Sequence, residues 1–259
     1  MIVRTRVLVF LVFFLMLSLI AGLYIQRQKH QPVFECSQAP AKATDLPIFY
    51  VHTQEKKMAL TFDISWGEKT PGLVLPILRE RQQLATFFLS GPWSERHPQV
   101  VRRIVDDGHE IANHGHDHVN LSQYSKDQVA KNISRTHAIL KRLSGTEPCF
   151  LRPPNGDYDD VVVLTARELN YETVIWSVDS LDWKNPGVDY MVKRVTDMAF
   201  PGAILLFHAS DSSKQTHEAL PRVLDALRAD GYTLVTLGEL MKAGEPARDD
   251  PRGRPKPTG

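Results

Sequence analysis

The feature that most constrains this chain is the regular alternation of short apolar runs with longer amphipathic stretches between Lys57 and Met241. KMALTFD (57–63), ATFFLS (85–90), HEIANH (109–114), CFLR (149–152), ETVIWS (172–177), AILLFH (203–208) and YTLVT (232–236) read as strands. Their apolar residues run on without a break, as in strands covered on both faces. Between them, residues 70–81, 97–106, 125–143, 158–169, 188–199 and 216–230 have helical spacing. The helix over 125–143 carries the clearest punctuation, with a capping box from Ser125 to Gln128 and Gly145 as its stop. Strand–helix alternation of this kind predicts parallel strands joined by right-handed crossovers. The pattern alone leaves both an open doubly wound sheet and a closed barrel standing. No glycine-rich loop follows the first strand, which argues against a nucleotide-binding sheet.

The flanks differ from this middle. Residues 1–6 carry Arg4 and Arg6, and Val7 to Tyr24 is an uncharged run of 18 residues. That length is near the lower limit for a helix crossing the roughly 30 Å of hydrocarbon in a bilayer. With the arginines held on the cytoplasmic side, the run reads as a signal-anchor, giving a single-pass membrane protein with its domain outside the cytoplasm. A cleaved signal peptide and a secreted protein is the alternative. Residues 25–55 read as a stalk, polar with scattered proline over 26–44, 56–244 as the folded domain and 245–259, rich in proline and charge, as a disordered tail. The net charge of +1 offers no bulk attraction to nucleic acid. Cys36 and Cys149 lack the clustered spacing of a zinc site; Cys149, at the start of an apolar run, reads first as a plain core thiol, and in an exported domain the alternative is a bond to Cys36 that joins stalk to domain.

Polar residues concentrate where the apolar runs end. Asp63 closes the first and His114 the third, with His118 four residues on. Arg152 precedes Pro153-Pro154-Asn155-Gly156, residues 179–183 read DSLDW, and His208 closes the run at 203–208. In a parallel barrel the C-terminal strand ends meet on one face, so these groups converge. Two histidines at i and i+4 have the spacing of a pair of metal ligands. A bound divalent ion, zinc or a similar metal, would acidify water and polarise a carbonyl. Asp63 is the candidate base, His208 the candidate acid, Arg152 a partner holding Asp63 ionised, and Asp182 an orienting carboxylate for a histidine. Together these describe metal-assisted hydrolysis of an amide or ester. Taken singly, each has a plainer explanation: a surface histidine pair, a turn aspartate, a rigid proline loop, a core histidine.

TFDISWG (61–67), NHGHDH (113–118), RPPNG (152–156), DSLDW (179–183) and LFH (206–208) stand in the order of the motifs of the polysaccharide deacetylases, the NodB-homology domain of carbohydrate esterase family 4. The resemblance runs from about Lys57 to Met241. It implies a distorted (β/α) barrel and a metal-dependent N-deacetylase. It gives Asp63 as base, His208 as acid, His114 and His118 as metal ligands, Arg152 as partner of the base and Asp182 as support for the histidine. Pro153, Asn155 and Trp183 become the candidate substrate contacts. The substrate implied is a cell-wall polysaccharide, peptidoglycan above all. One position departs: the family motif usually has a second, metal-binding aspartate where this chain has Ile64. That loss weakens the metal site and opens a second reading, a silent glycan-binding protein on the same fold. The first motif resembles that of the PdaB-type, sporulation-associated branch.

Overall fold

The computed structural model describes residues 46–252, together with Met16 and Ser18. The expected signal-anchor apart from Met16 and Ser18, Cys36 and the end of the tail therefore lie outside the described residues. Among the described residues no helix is long and apolar enough to cross a membrane.

The fold is built outward from β2, Lys57–Ile64, which is buried along all but its first residue. It pairs in parallel with β8 (Ile204–His208) over Ala59–Asp63, with β3 (Thr86–Leu89) over Thr61–Ile64, and with β9 (Thr233–Val235) over Lys57–Ala59. β8 takes one edge, and β9 and β3 share the other, one after the other. β4 (Glu110–Asn113), β5 (Phe150–Leu151) and β6 (Glu172–Thr173) continue beyond β3, and β7 (Val178–Asp179) lies outside β8, all in parallel.

Eight α-helices connect and cover these strands: α1 Lys69–Glu80, α2 Gly91–Arg96, α3 Pro98–Asp106, α4 Lys126–Ser144, α5 Asp160–Glu168, α6 Val188–Met198, α7 Thr216–Ala229 and the short α8 Leu237–Met241 among the described residues. The capping box at Ser125 forms as its sequence predicts, and Gly145 ends α4 in the left-handed conformation. The helix expected at 97–106 is accompanied by α2, with a break at His97-Pro98 where proline's missing N–H favours a new helix start.

Side chains alternate across β2. Leu60, Phe62 and Ile64 join a helix-facing cluster with Val74, Leu75 and Leu78 of α1 and with Leu220, Val223 and Leu224 of α7. Ala59 faces the other way, into an inner cluster with Ile48, Phe88, Ala112, Val174, Ile204 and Leu237. Period-two geometry then puts Thr61 and Asp63 on the inner face and Ile64 on the outer one.

The sheet curls into a half-barrel and does not close on itself, because β6 and β7 do not pair. A segment from the expected stalk fills the seam. Ile48 bridges Val174 in parallel and Tyr50 bridges Ala203 in antiparallel, and Val51 N–H donates to Gly202 O at 2.9 Å. Gly202 has φ +86, and a Cβ there would lie 1.8 Å from Val51 O, so only glycine admits this approach.

β1 (Tyr50–His52) pairs in turn with β10 (Glu245–Ala247) from the expected tail. The Tyr50 hydroxyl donates to Asp249 at 3.0 Å, and Arg248 donates to Leu46 O at 2.7 Å and to Glu172 at 2.9 Å. The domain bounds of 56–244 are thus corrected on both sides. Residues 46–55 and 245–252 belong to the fold, held by partners distant in sequence.

Candidate active site

The predicted strand-end residues do meet on one face. Asp63 and His208 are register partners on β2 and β8. His114 follows β4 and Arg152 follows β5; these ends are tied by Arg152 N–H donating to Asn113 O at 2.9 Å. Asp182 begins a 3₁₀ turn, Asp182–Lys184, shortly after β7.

The centre of the site is a buried ion pair. Arg152 is wholly buried, and its Nη1 donates to Asp63 Oδ1 at 2.7 Å and to Thr61 Oγ1 at 2.9 Å. The Thr61 hydroxyl in turn donates a hydrogen bond to Leu205 O at 2.5 Å. The guanidinium also lies 4.0 Å from the centre of the Phe88 ring. Burial by itself would raise the Asp63 pKa, but Arg152, then His114 and His208, outweigh it and hold the carboxyl below the ordinary aspartate value. Asp63 is therefore ionised at neutral pH, with Oδ1 locked on Arg152 and Oδ2 turned toward His114.

A carbonyl oxygen fixes the His114 tautomer. Nδ1 lies 2.8 Å from Arg152 O, which has no proton to give, so Nδ1 carries the hydrogen and donates it. Burial pushes the His114 pKa down to about 4, and at neutral pH the ring is uncharged. Its Nε2 then presents a bare lone pair 3.7 Å from Asp63 Oδ2, and the approach is not an ion pair. Two acceptors face each other with no proton between them, and the His118 ring stands 5.4 Å from the His114 ring. That arrangement suits a cation. The carbonyl behind His114 is the kind of outer partner that orients a metal-bound imidazole.

Among the described residues no three His, Cys, Asp or Glu side chains stand as a ready-made metal cage. The donors that fit a metal are the two imidazoles, His114 and His118, with Asp63 Oδ2 the nearest carboxylate. Ile64 contributes nothing, since its side chain packs in the helix-facing cluster behind β2.

His208 is held from behind. Asp182 is wholly buried; its Oδ1 accepts from His208 Nδ1 at 2.8 Å, and its Oδ2 accepts from His208 N–H and from Thr216 Oγ1, each at 2.7 Å. Burial would lower the His208 pKa, but Asp182, with Asp63 and Asp179, reverses this and raises it above the usual histidine value. The His208 side chain keeps 23% of its surface exposed, so Nε2 can meet a ligand.

The remaining predicted residues lie around this centre. Pro153 is buried at the entry of the 3₁₀ turn Pro154–Gly156. Asn155 is exposed and donates its amide to Asn120 at 2.8 Å, so that group is committed to a loop contact. Trp183 is 48% exposed, with the Lys184 ammonium 4.8 Å over its ring. His116, left outside the ligand pair, turns inward and its backbone N–H donates to Asn132 at 2.7 Å.

Sequence reasoning missed Asp179, the first residue of DSLDW. It accepts from Leu181 N–H at 2.8 Å and from the Trp183 side chain, and it adds negative charge beside His208. Burial raises its own pKa. Its place at a strand end was the available signal.

Comparison with known proteins identifies the family. Residues 50–174 match the polysaccharide deacetylase family model. The chain is 32% identical over 195 residues to YlxY of Bacillus subtilis, covering 75% of this chain and 60% of that protein. It is 36% identical over 195 residues to a peptidoglycan-N-acetylglucosamine deacetylase of Bacillus cereus, covering 74% of this chain and 91% of the relative. Among solved structures, a CE4 family pseudoenzyme from Bacillus anthracis superposes with a TM-score of 0.74 at 31% identity, covering 78% of this chain and 71% of its own. A mutant of that pseudoenzyme with restored enzymatic activity superposes with the same TM-score, at 32% identity and covering 78% and 74% of the two chains. By descent and by the placement of its motifs, this chain belongs to the polysaccharide deacetylase family.

Proposed function

We propose that the chain is an N-deacetylase of a cell-wall polysaccharide, peptidoglycan above all, acting outside the cytoplasm. One observation carries the reading: neighbouring strand ends hold Asp63 ionised and His208 protonatable on the same face. This opposed tuning is what an acid–base pair needs at neutral pH. The apolar run Val7–Tyr24 supports the extracytoplasmic placement.

In the proposed reaction Asp63 Oδ2 accepts a proton from the attacking water while Oδ1 stays fixed on Arg152. The water oxygen bonds to the acetyl carbon, and the C–N bond breaks as His208 Nε2 gives its proton to the departing amine. Asp182 holds the imidazole in place and stabilises its charged form. A divalent metal on His114 and His118 would polarise the acetyl carbonyl and make the bound water more acidic. The products are acetate and a free amino sugar. Activity should rise with pH through a value below the ordinary aspartate range and fall again above the ordinary histidine value.

The test is acetate release by the full chain from N-acetylated glycan oligomers and from peptidoglycan, with zinc or cobalt supplied and with a chelator. Metal-dependent release is the expected outcome, and His114→Ala should lose bound metal by direct metal analysis. No release with metal in excess would favour the second reading, a silent wall-glycan-binding protein. Ile64 and the similarity to a pseudoenzyme support that alternative.

A further inference from the structure

Trp66 has no role in the chemistry above, yet its indole is the most exposed large apolar side chain of the described residues, at 68%. The backbone around it is clamped. Ala209 N–H donates to Asp63 O at 3.1 Å, Ser65 N–H to Ser210 Oγ at 3.2 Å and Asp211 N–H to Trp66 O at 3.0 Å. Gly67 O accepts from the Trp93 indole at 2.5 Å. Gly67 has φ +72, and a Cβ there would lie 2.1 Å from Asp211 Cγ. Asp211 Oδ1 in turn accepts from Thr70 N–H at 2.7 Å. The loop is thus fixed by its backbone, and the ring it carries is left in water beside the site, open to contact with a ligand.

The ring's position says what it would contact. Trp66 lies three residues past Asp63, so their Cα atoms are at most about 11 Å apart. Trp183, the other exposed tryptophan, adjoins Asp182, whose carboxylate grips His208. The strand order β2–β8–β7 puts the two tryptophan loops on opposite sides of His208, with the flanking strands about 10 Å apart. The loop after β8 knits both sides together. Asp211 holds the Trp66 loop, while Ser212 O accepts from the Asn185 amide at 2.9 Å and Lys214 N–H donates to Asn185 at 2.7 Å.

We propose that Trp66 is a stacking platform for a sugar ring of an N-acetylated glycan strand, on the opposite side of His208 from Trp183. The apolar C–H face of a pyranose matches a flat indole, and its hydroxyls stay in water at the rim. A strand with one acetamido group at His208 then places a neighbouring ring over Trp66. The inference rests on the glycan reading of the site, but it concerns binding rather than turnover.

The experiment is a titration of the full chain, kept in mild detergent, with the N-acetylglucosamine tetramer, followed by intrinsic fluorescence, and co-sedimentation with purified peptidoglycan. Trp66→Ala should weaken both roughly 10- to 30-fold, the scale of a tryptophan contact hot spot, whereas Trp66→Phe should stay within about threefold. Thermal unfolding checks that the alanine variant is folded. Parent-like binding by Trp66→Ala overturns the proposal, as does the absence of saturable tetramer binding by the parent. So does a parent that is dimeric by light scattering while Trp66→Ala is monomeric, since the ring would then serve a second copy of the chain. Acetate release is scored separately. Trp66-dependent binding without acetate leaves the platform standing and removes the enzyme reading; acetate release with Trp66-independent binding does the reverse.

Discussion

Two buried carboxylates lie at opposite ends of the same sheet, and their surroundings treat them in opposite ways. Asp63, near the C-terminal end of β2, meets the Arg152 guanidinium, and its pKa falls. Glu110, at the N-terminal start of β4, has neutral hydrogen-bond partners and the repelling charge of Glu239 nearby. Thr86 Oγ1 donates to its Oε2 at 2.5 Å and Gly238 N–H donates to the same oxygen at 3.1 Å. Burial dominates there and pushes Glu110 up to about 7. The amount of burial is similar; the presence or absence of a cation decides the charge. At one end a permanent charge is maintained where chemistry needs it. At the other the carboxyl serves as a hydrogen-bonding peg that pins the start of α8 under the sheet.

The comparison breaks most visibly at Asp63. Asp63→Asn leaves Arg152 buried without its carboxylate, which should cost about 3–5 kcal/mol of stability and, through loss of the base, roughly 100- to 10,000-fold in acetate release. Denaturant unfolding at pH 7 checks the first figure. An undiminished midpoint would mean that the ion pair does not hold the site together.

At the other end the sign reverses. The folded Glu110 value lies above its unfolded one, so its contribution is complete below about pH 4.5 and is lost as pH rises toward about 7. Glu110→Gln, which keeps the acceptor oxygen and drops the charge, should therefore stabilise the protein at pH 8 by up to roughly 3 kcal/mol. It should also flatten the pH dependence between those limits, as unfolding curves at pH 5 and pH 8 would reveal.

The smallest effect belongs to Thr86, whose hydroxyl gives its proton to Glu110 and accepts Leu237 N–H at 2.7 Å. Thr86→Val should cost about 1–2 kcal/mol and push Glu110 still higher, because that hydroxyl is among the groups holding it down. Proton uptake on folding near pH 7 would report the shift; an unmoved Glu110 would show that burial alone sets its value.

Much of this was legible because local and global signals agree. Lys57–Ile64 reads as a continuous strand because both its faces are covered, and Ser125–Gln128 caps a helix whose apolar stripe then packs. The ends of the motifs were legible for the same reason: parallel strands deliver Asp63, His114, Arg152 and His208 to one side. The misses have a common cause. Glu245–Ala247 carries no strand pattern of its own and acquires one from β1, while the short apolar run at 48–51 falls within the expected stalk and is largely buried in the seam it fills. Ile64 looked like a simple exchange of one ligand, but strand alternation turns it into the helix-side core, where a carboxylate would have to displace apolar packing. Trp66 escaped notice because exposure is invisible in composition.

The seam strand has a consequence for the order in which this protein can be made. Tyr50 leaves the ribosome 199 residues ahead of Asp249, to which its hydroxyl is bonded. Ile48, Phe49 and Val51, all buried in the finished domain, are synthesised before the half-barrel they seal exists. Closing so long a loop brings its reward only when both ends are present, so the final fastening is necessarily a late event of synthesis. A nascent chain that stalls before Glu245 would have every group of the catalytic face in its sequence and still lack the strand that latches the seam.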